Sequence, residues 1–199
     1  MNQRTEKQMS HSPNENLRRR TVPHATYRLQ FTPKFGFAEA GALMPYFERL
    51  GISDIYCSPI LTARPGSTHG YDVVDPLHIS QELGGQQAFD EFVAESRRHG
   101  IALLLDIVPN HMAASIENPW WLDVLEHGPS SRFAHYFDIE WDPAVPNSGT
   151  HNRVLLPLLG SPYGETLESG EIRIEPSADG FVLRYFEHEL PLAIESYAV

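Results

Sequence analysis

The chain has a single cysteine, Cys57, in 199 residues, so no internal disulfide can form. A disulfide-stapled scaffold is thereby excluded, and the usage fits a reducing cytoplasm. Long apolar runs are also missing. The longest, residues 101–105 and 154–159, fall far short of the roughly 20 residues a membrane span needs. Arg18-Arg19-Arg20 invites a twin-arginine reading, but Thr21-Val22-Pro23-His24-Ala25 follows where a signal would place its hydrophobic stretch. The expectation is a cytoplasmic protein without a membrane partner. Positive charge is scarce: 15 Lys and Arg stand against 26 Asp and Glu, a net charge of −11. Five basic and only two acidic residues fall in the first 20, so the remainder is more acidic still. Such a body repels phosphate backbones and anionic bilayers, which argues against nucleic acid as a partner and is compatible with a neutral ligand such as a sugar. No Gly-rich phosphate loop follows a strand. The ten histidines show no close ligand spacing such as HxxxH. No metal and no cofactor is expected.

What remains is an ordinary globular composition, 41% hydrophobic and 21% charged. Residues 1–24 are polar, lack apolar anchors and read as a disordered tail. Residues 25–31 alternate and are β-rich, a first strand. Phe37, Ala40, Leu43, Met44, Phe47 and Leu50 recur at helical spacing and Gly51 stops them. Pro45 violates that helix, at about 3 kcal/mol unless the helix kinks or restarts. Residues 52–58 read as a second strand ended by Pro59. A structureless loop is expected over 59–83, long enough to suggest function. Phe89, Phe92 and Val93 stripe a helix over 86–98, capped by Gly100, and residues 101–108 read as a strand buried on both faces. Strands joined by helices predict a parallel sheet. Beyond Val108 the rhythm breaks into loop and short-helix material over 109–142. A strand is expected over 152–159, and a hairpin over 171–186 turning at Ala178-Asp179-Gly180.

In parallel α/β folds, function gathers at the carboxyl ends of strands. Two constellations lie there. The first is Asp106-Ile107-Val108-Pro109-Asn110-His111. A carboxylate ending an apolar strand needs donors around it. Asn110 and His111 offer groups that bind sugar hydroxyls, although Asp106 and Asn110 would equally serve to fasten a loop. The second is His69-Gly70-Tyr71-Asp72-Val73-Val74-Asp75. Gly70 permits close backbone approach and Tyr71 offers a flat face for a pyranose ring, with a core tyrosine as the plainer alternative.

These residues carry a resemblance. Thr26-Tyr27-Arg28-Leu29-Gln30-Phe31, Tyr56-Cys57-Ser58-Pro59-Ile60-Leu61, Glu82-Leu83-Gly84-Gly85 and Leu105-Asp106-Ile107-Val108-Pro109-Asn110-His111-Met112 resemble the α-amylase superfamily. The stretch from Ala63 to Asp75, with Asn118-Pro119-Trp120-Trp121-Leu122-Asp123-Val124-Leu125 and Leu155-Leu156-Pro157-Leu158-Leu159-Gly160, is narrower and resembles its maltooligosyl trehalose synthases. The resemblance implies an α/β fold: the first part, about three β/α units, of a (β/α)8 TIM barrel of α-amylase type, with the start of an inserted α+β domain after strand 3. The barrel part would span 25–108 and the insertion 109–199. Implied too is an isomerase acting on a maltodextrin (α-1,4-glucan), converting the reducing-end α-1,4 bond to an α,α-1,1 bond by a retaining two-carboxylate mechanism, with a maltooligosyl trehalose hydrolase as pathway partner. Residue by residue, it implies binding roles only. Tyr71 stacks on the sugar at the cleavage point, His111 and His69 bond its hydroxyls, Asp106 is a carboxylate under the site, and Asn110 holds the loop. The family's nucleophile, its arginine partner and its acid come from strands four and five, so the expectation is a fragment that is inactive alone, its nucleophile and acid beyond Val199. Two other readings stay open: another hydrolase or transglucosylase of the superfamily, and a non-catalytic carbohydrate-binding protein using Trp120, Trp121 and Trp141. The plainer assignment of those tryptophans is core of the inserted region.

Overall fold

A computed structural model describes residues 22–142, 149, 151–177, 180–193 and 196. The expected disordered tail therefore lies outside the described residues except at 22–24, as do Ala178 and Asp179 of the expected turn and most of the last six residues. Among the described residues no helix is long and apolar enough to cross a membrane.

Three short parallel strands organise the first half: β1 (Thr26–Leu29), β2 (Asp54–Cys57) and β5 (Ala102–Leu105), in the order β1-β2-β5. Each crossover between them carries helices. The first is split where Pro45 predicted trouble. α1 (Phe37–Ala42) ends, Leu43 intervenes, and α2 (Met44–Leu50) starts afresh with Pro45 in its first turn, where no helical donor is lost. The Glu39 carboxylate accepts from the Gly36 amide at 2.8 Å and closes the start of α1. The second crossover holds α3 (Gly85–Arg98).

The core is aromatic and lies between sheet and helices. Phe31, Phe37, Phe47, Met44, Ile55, Cys57 and Phe92 are each at most 3% exposed. Phe37 meets Phe31 edge-on at 5.1 Å and stacks near Phe92 at 6.1 Å, so the segment just after β1, α1 and α3 share one ring cluster. Gly36 is required there: a Cβ at that position would stand 2.6 Å from the Leu83 carbonyl oxygen.

Several sequence expectations need correction. Residues 59–83 are not structureless. They form an antiparallel pair, β3 (Leu61–Ala63) with β4 (Val73–Ile79), followed by a 3₁₀ turn at Gln81–Leu83. β3 is three residues long with two register shifts, too short and irregular to write a period of two into the sequence. β5 is not buried on both faces. It is the edge of its sheet among the described residues, and Leu104 and Leu105 are 44% and 43% exposed. No strand forms over 152–159, where Leu155 is 76% exposed and Pro157 supplies no ladder donor.

The second half holds α4 (Pro119–His127), α5 (Tyr163–Glu168) and an antiparallel sheet of β6 (Ile172–Ser177), β7 (Gly180–Tyr185) and β8 (His188–Pro191). The expected hairpin is present as β6–β7. β8 and α5 were not foreseen. Arg184 on β7 bonds Glu175 of β6 at 2.8 Å and also pairs with Glu189 of β8, tying the three strands. Asn118, fully buried, caps α4: its Oδ1 accepts from the Trp120 and Trp121 amides at 3.1 and 3.2 Å, and its Nδ2 donates to the Ala113 carbonyl. Ala113 in turn donates to the Val73 carbonyl at 2.8 Å. This chain of bonds fastens the segment after β5 to β4.

Candidate functional site

The register of the parallel sheet brings its polar residues together. Arg28, Tyr56 and Leu104 are aligned across β1, β2 and β5. Asp106 lies two residues past Leu104, so it points to the same side as Arg28 and Tyr56. Its amide donates to the Cys57 carbonyl at 3.1 Å, which extends the ladder just beyond the strand. The carboxylate therefore stands at the carboxyl edge of the sheet, where two phenols reach it. Tyr56 donates to Asp106 Oδ2 at 2.8 Å and Tyr71 donates to the same oxygen at 2.5 Å. Arg28 Nη2 lies 3.7 Å from that oxygen and donates to the Tyr71 hydroxyl at 3.2 Å. The guanidinium also sits over the Tyr56 ring, 5.1 Å from its centroid.

One carboxylate oxygen thus gathers three side chains from three separate parts of the chain. The Asp106 side chain is 12% exposed, so its charge is compensated by these partners more than by water. Donation to Asp106 pushes the Tyr56 phenol above its usual range, and the bond to Tyr71 raises the Arg28 guanidinium. The Tyr56 phenol and the Arg28 guanidinium hold their protons and act as fixed donors.

Tyr71 is aimed by the loop before it. Gly70, at φ +76°, makes a turn that a Cβ would strain, with the Pro59 carbonyl oxygen 3.1 Å from where that atom would be. The Ser67 hydroxyl accepts from the Gly70 amide at 3.1 Å and donates to Asp72. His69 Nδ1 accepts from the Tyr71 amide at 3.0 Å, and the two rings lie 22° from parallel with centroids 6.0 Å apart.

These elements border a cleft of about 470 Å³. Tyr71, Asp106, Asn110 and His111, all singled out from the sequence, line it. His69 does not; it holds Tyr71 from outside the lining. Asn110 and His111 are exposed, and Asn110 Oδ1 accepts from His111 Nδ1 at 3.2 Å. The remaining wall is apolar and aromatic: Pro59, Ile107, Met112, Trp120, Tyr136 and Phe137, with Asp138 beside them. Of the weighed tryptophans, Trp121 is buried at 8% exposure and Trp120 reaches the cleft.

Sequence reasoning assigned no role to Arg28 or Tyr56, although both fall within quoted motifs. It also missed Tyr136, Phe137 and Asp138, whose only trace is the spacing Phe133, Tyr136, Phe137, which reads equally as core. The arrangement is suited to gripping a neutral polyhydroxylated ligand: aromatic faces for C–H surfaces, and amide, imidazole and carboxylate groups for hydroxyls. Among the described residues no group of three or more metal-ligating side chains converges.

Comparison with known proteins gives a consistent picture. A sequence profile described as alpha amylase, catalytic domain, matches residues 42–191. A Mycobacterium tuberculosis (strain CDC 1551 / Oshkosh) protein with the provisional name maltooligosyl trehalose synthase is 42% identical over 176 residues, covering 85% of this chain and 21% of that protein. An intracellular maltogenic amylase of Bacillus subtilis (strain 168) is 33% identical over 102 residues, 51% of this chain and 17% of the relative. The solved maltooligosyltrehalose synthase from Arthrobacter ramosus superposes with a TM-score of 0.74 at 37% identity, covering 86% of this chain and 21% of that one. A hypothetical maltooligosyl trehalose synthase from Sulfolobus tokodaii gives 0.71 at 35% identity over 89% and 22%. The chain spans about a fifth of the length of these synthase relatives.

Proposed function

The chain belongs to the α-amylase family, and from that premise we propose that its cleft grips the reducing-end part of an α-1,4-glucan. The bond there would be isomerised to an α,α-1,1 bond, giving a maltooligosyl trehalose. The observation that carries the reading is the shared cleft of Tyr71 and His111 at the carboxyl edge of the parallel sheet. It is supported by the resemblance to synthases along 85% of the chain.

Each residue then has a role that its geometry suits. Tyr71 offers its ring to a pyranose face while its hydroxyl is pinned by Asp106 and Arg28. His111 Nε2 and the Asn110 amide take ring hydroxyls. His69 acts through Tyr71, as a positioning residue. Asp106 is a structural carboxylate: its Oδ2 accepts from the Tyr56 and Tyr71 phenols and holds the Tyr71 ring in place. In this reading residues 25–108 make the barrel part and 109–199 a subdomain inserted after its third strand. The retaining mechanism needs an attacking carboxylate and an acid about 5 Å apart on either side of the bond. This chain's contribution is to hold the sugar and exclude water while that pair works. The product, a non-reducing oligosaccharide ending in a trehalose unit, suits a hydrolase of maltooligosyl trehalose as the next enzyme. The acidic body and the single buried thiol suit the cytoplasm.

A hybrid tests the reading. Residues 25–193 would replace the matching stretch of the Arthrobacter ramosus synthase, and maltopentaose would be followed by reducing-end and product assays. The expected result is loss of reducing ends without release of glucose. Release of glucose and maltose instead would favour amylase-type hydrolysis, the second reading, to which the Bacillus subtilis relative points. No change in the sugar, from a hybrid that folds, would overturn both.

A further inference from the structure

Tyr71 lies near the end of a loop, residues 64–72, that is bonded within itself. Its base is closed by the Arg64 amide, which donates to the Asp72 carbonyl at 3.0 Å. Its tip is a tight turn, Arg64-Pro65-Gly66-Ser67, in which the Ser67 amide donates to the Arg64 carbonyl at 3.0 Å. Proline second and a glycine at φ +74° third are the pattern of a type II turn. Ser67 joins tip to base. Its hydroxyl accepts from the Gly70 amide and donates to Asp72, and these are the two neighbours of Tyr71. A loop so closed moves as one body, and whatever holds the turn also sets the backbone of Tyr71.

What holds the turn is a carboxylate from outside the cleft lining. Both Glu82 oxygens accept from the Gly66 amide, at 3.1 and 3.3 Å. Glu82 is carried by the 3₁₀ turn Gln81–Leu83, and the backbone there is pinned. Leu83 is buried in the aromatic core. The Ser80 amide donates to the Ile60 carbonyl and the Gly85 amide to the Ser80 carbonyl, each at 2.9 Å. A glutamate on an idle surface turns its charge to water, whereas this one is presented by a fixed backbone to a loop amide. Two further contacts fasten the same loop: Arg64 to Glu117 at 3.5 Å, and Gln30 to the Thr68 carbonyl at 3.4 Å, both at the limit of bonding distance. The Glu82 bond is shorter than either and is charge-assisted.

We infer that Glu82 is a positioning residue of the cleft, which acts on Tyr71 through the turn at Gly66. The inference rests on the glucan reading for what Tyr71 binds, and not for what Glu82 holds. The test joins titration calorimetry with maltotriose to nuclear magnetic resonance of the Tyr71 ring, in the 199-residue chain and in four variants. These are Glu82→Ala, Glu82→Gln, Tyr71→Ala and the double variant Glu82→Ala with Tyr71→Ala, each checked for folding by circular dichroism. Glu82→Ala should weaken maltotriose about fivefold and shift the Tyr71 ring signals of the free chain. Glu82→Gln, whose amide oxygen still accepts from Gly66, should bind within about twofold of the unmodified chain and leave those signals in place. With Tyr71 already replaced by alanine, Glu82→Ala should add less than about twofold, because the ring it aims is gone. Unchanged binding by Glu82→Ala, or equal weakening with and without the Tyr71 ring, would overturn the positioning role and leave the glucan reading standing. No binding of maltotriose by the unmodified chain would overturn the glucan reading. The ring signals then decide the positioning role without sugar: movement in Glu82→Ala and not in Glu82→Gln supports it, and movement in both or in neither overturns it. Should Glu82→Ala not fold, Glu82→Asp, one methylene short of Gly66, takes its place with the same expected outcomes.

Discussion

Replacing Tyr71 by phenylalanine keeps the ring that would face a sugar and removes only the hydroxyl that holds it. That hydroxyl donates to Asp106 Oδ2 at 2.5 Å and accepts from Arg28 Nη2 at 3.2 Å. The two bonds differ in weight. The Asp106 side chain is 12% exposed, so water replaces the lost donor only in part. Arg28 is 38% exposed and recovers its bond from solvent. A hydrogen bond to a charged partner contributes roughly 1.5–3 kcal/mol, and counting the Asp106 side alone gives a loss of about 2 kcal/mol. For a chain of this size each kcal/mol moves the midpoint by about 2–4 °C, so Tyr71→Phe should melt about 4–8 °C lower. Circular dichroism on heating, with urea titration as a second measure, reads this directly. The same substitution in an Asp106→Asn background should have a much smaller effect, because the charged acceptor is already gone. A Tyr71→Phe loss within about 0.5 kcal/mol, the range of an ordinary exposed substitution, would refute the idea that the carboxylate clamps this ring.

Three further outcomes follow from the packing and the charges. Gly36→Ala places a Cβ 2.6 Å from the Leu83 backbone oxygen, which cannot swing aside, and should destabilise by about 1–3 kcal/mol in urea unfolding; a neutral result would mean that α1 and the turn before α3 do not meet as described. Burial pushes the Cys57 thiol up to about 12, so it stays protonated at neutral pH, and iodoacetamide should label it only after unfolding; prompt labelling of the native chain would contradict that burial. His99 is raised by its bond to Glu48 at 2.7 Å and then by Glu95 at 3.0 Å. A raised folded value means its contribution is fully present below the ordinary histidine range and fades as pH climbs through the folded value. His99→Gln should therefore lose more stability at about pH 5.5 than at about pH 8.5, and an equal loss at both would exclude a charged pair.

The parts of this architecture that were legible in the sequence are those with a long or repeated signal. α3 showed its apolar stripe through Phe89, Phe92 and Val93, and the two crossovers followed from the alternation of short strands and helices. Pro45 marks a kink or restart of the helix in the sequence, and the restart is what forms: α2 begins at Met44, and a proline in a first turn sacrifices nothing. The β3–β4 pair stayed hidden, since three residues with shifted register carry no periodicity. The run over 152–159 looked like a strand because apolar residues alone do not specify a pairing partner. At the site, Asp106, Asn110, His111 and Tyr71 could be picked out from their positions after strands. The roles of Arg28 and Tyr56 could not, because they depend on which strands lie side by side. Tyr136 and Phe137 were invisible for a different reason: their spacing is the same whether the rings face a core or a cleft.

The most direct measurement is nuclear magnetic resonance of the chain with labelled tyrosine and histidine, titrated with maltotriose. If one ligand sits between the ring held by Asp106 and the imidazole after β5, the signals of Tyr71 and His111 should move together and saturate along a single binding curve. Signals that stay still, or that follow two unrelated curves, would contradict a common sugar site.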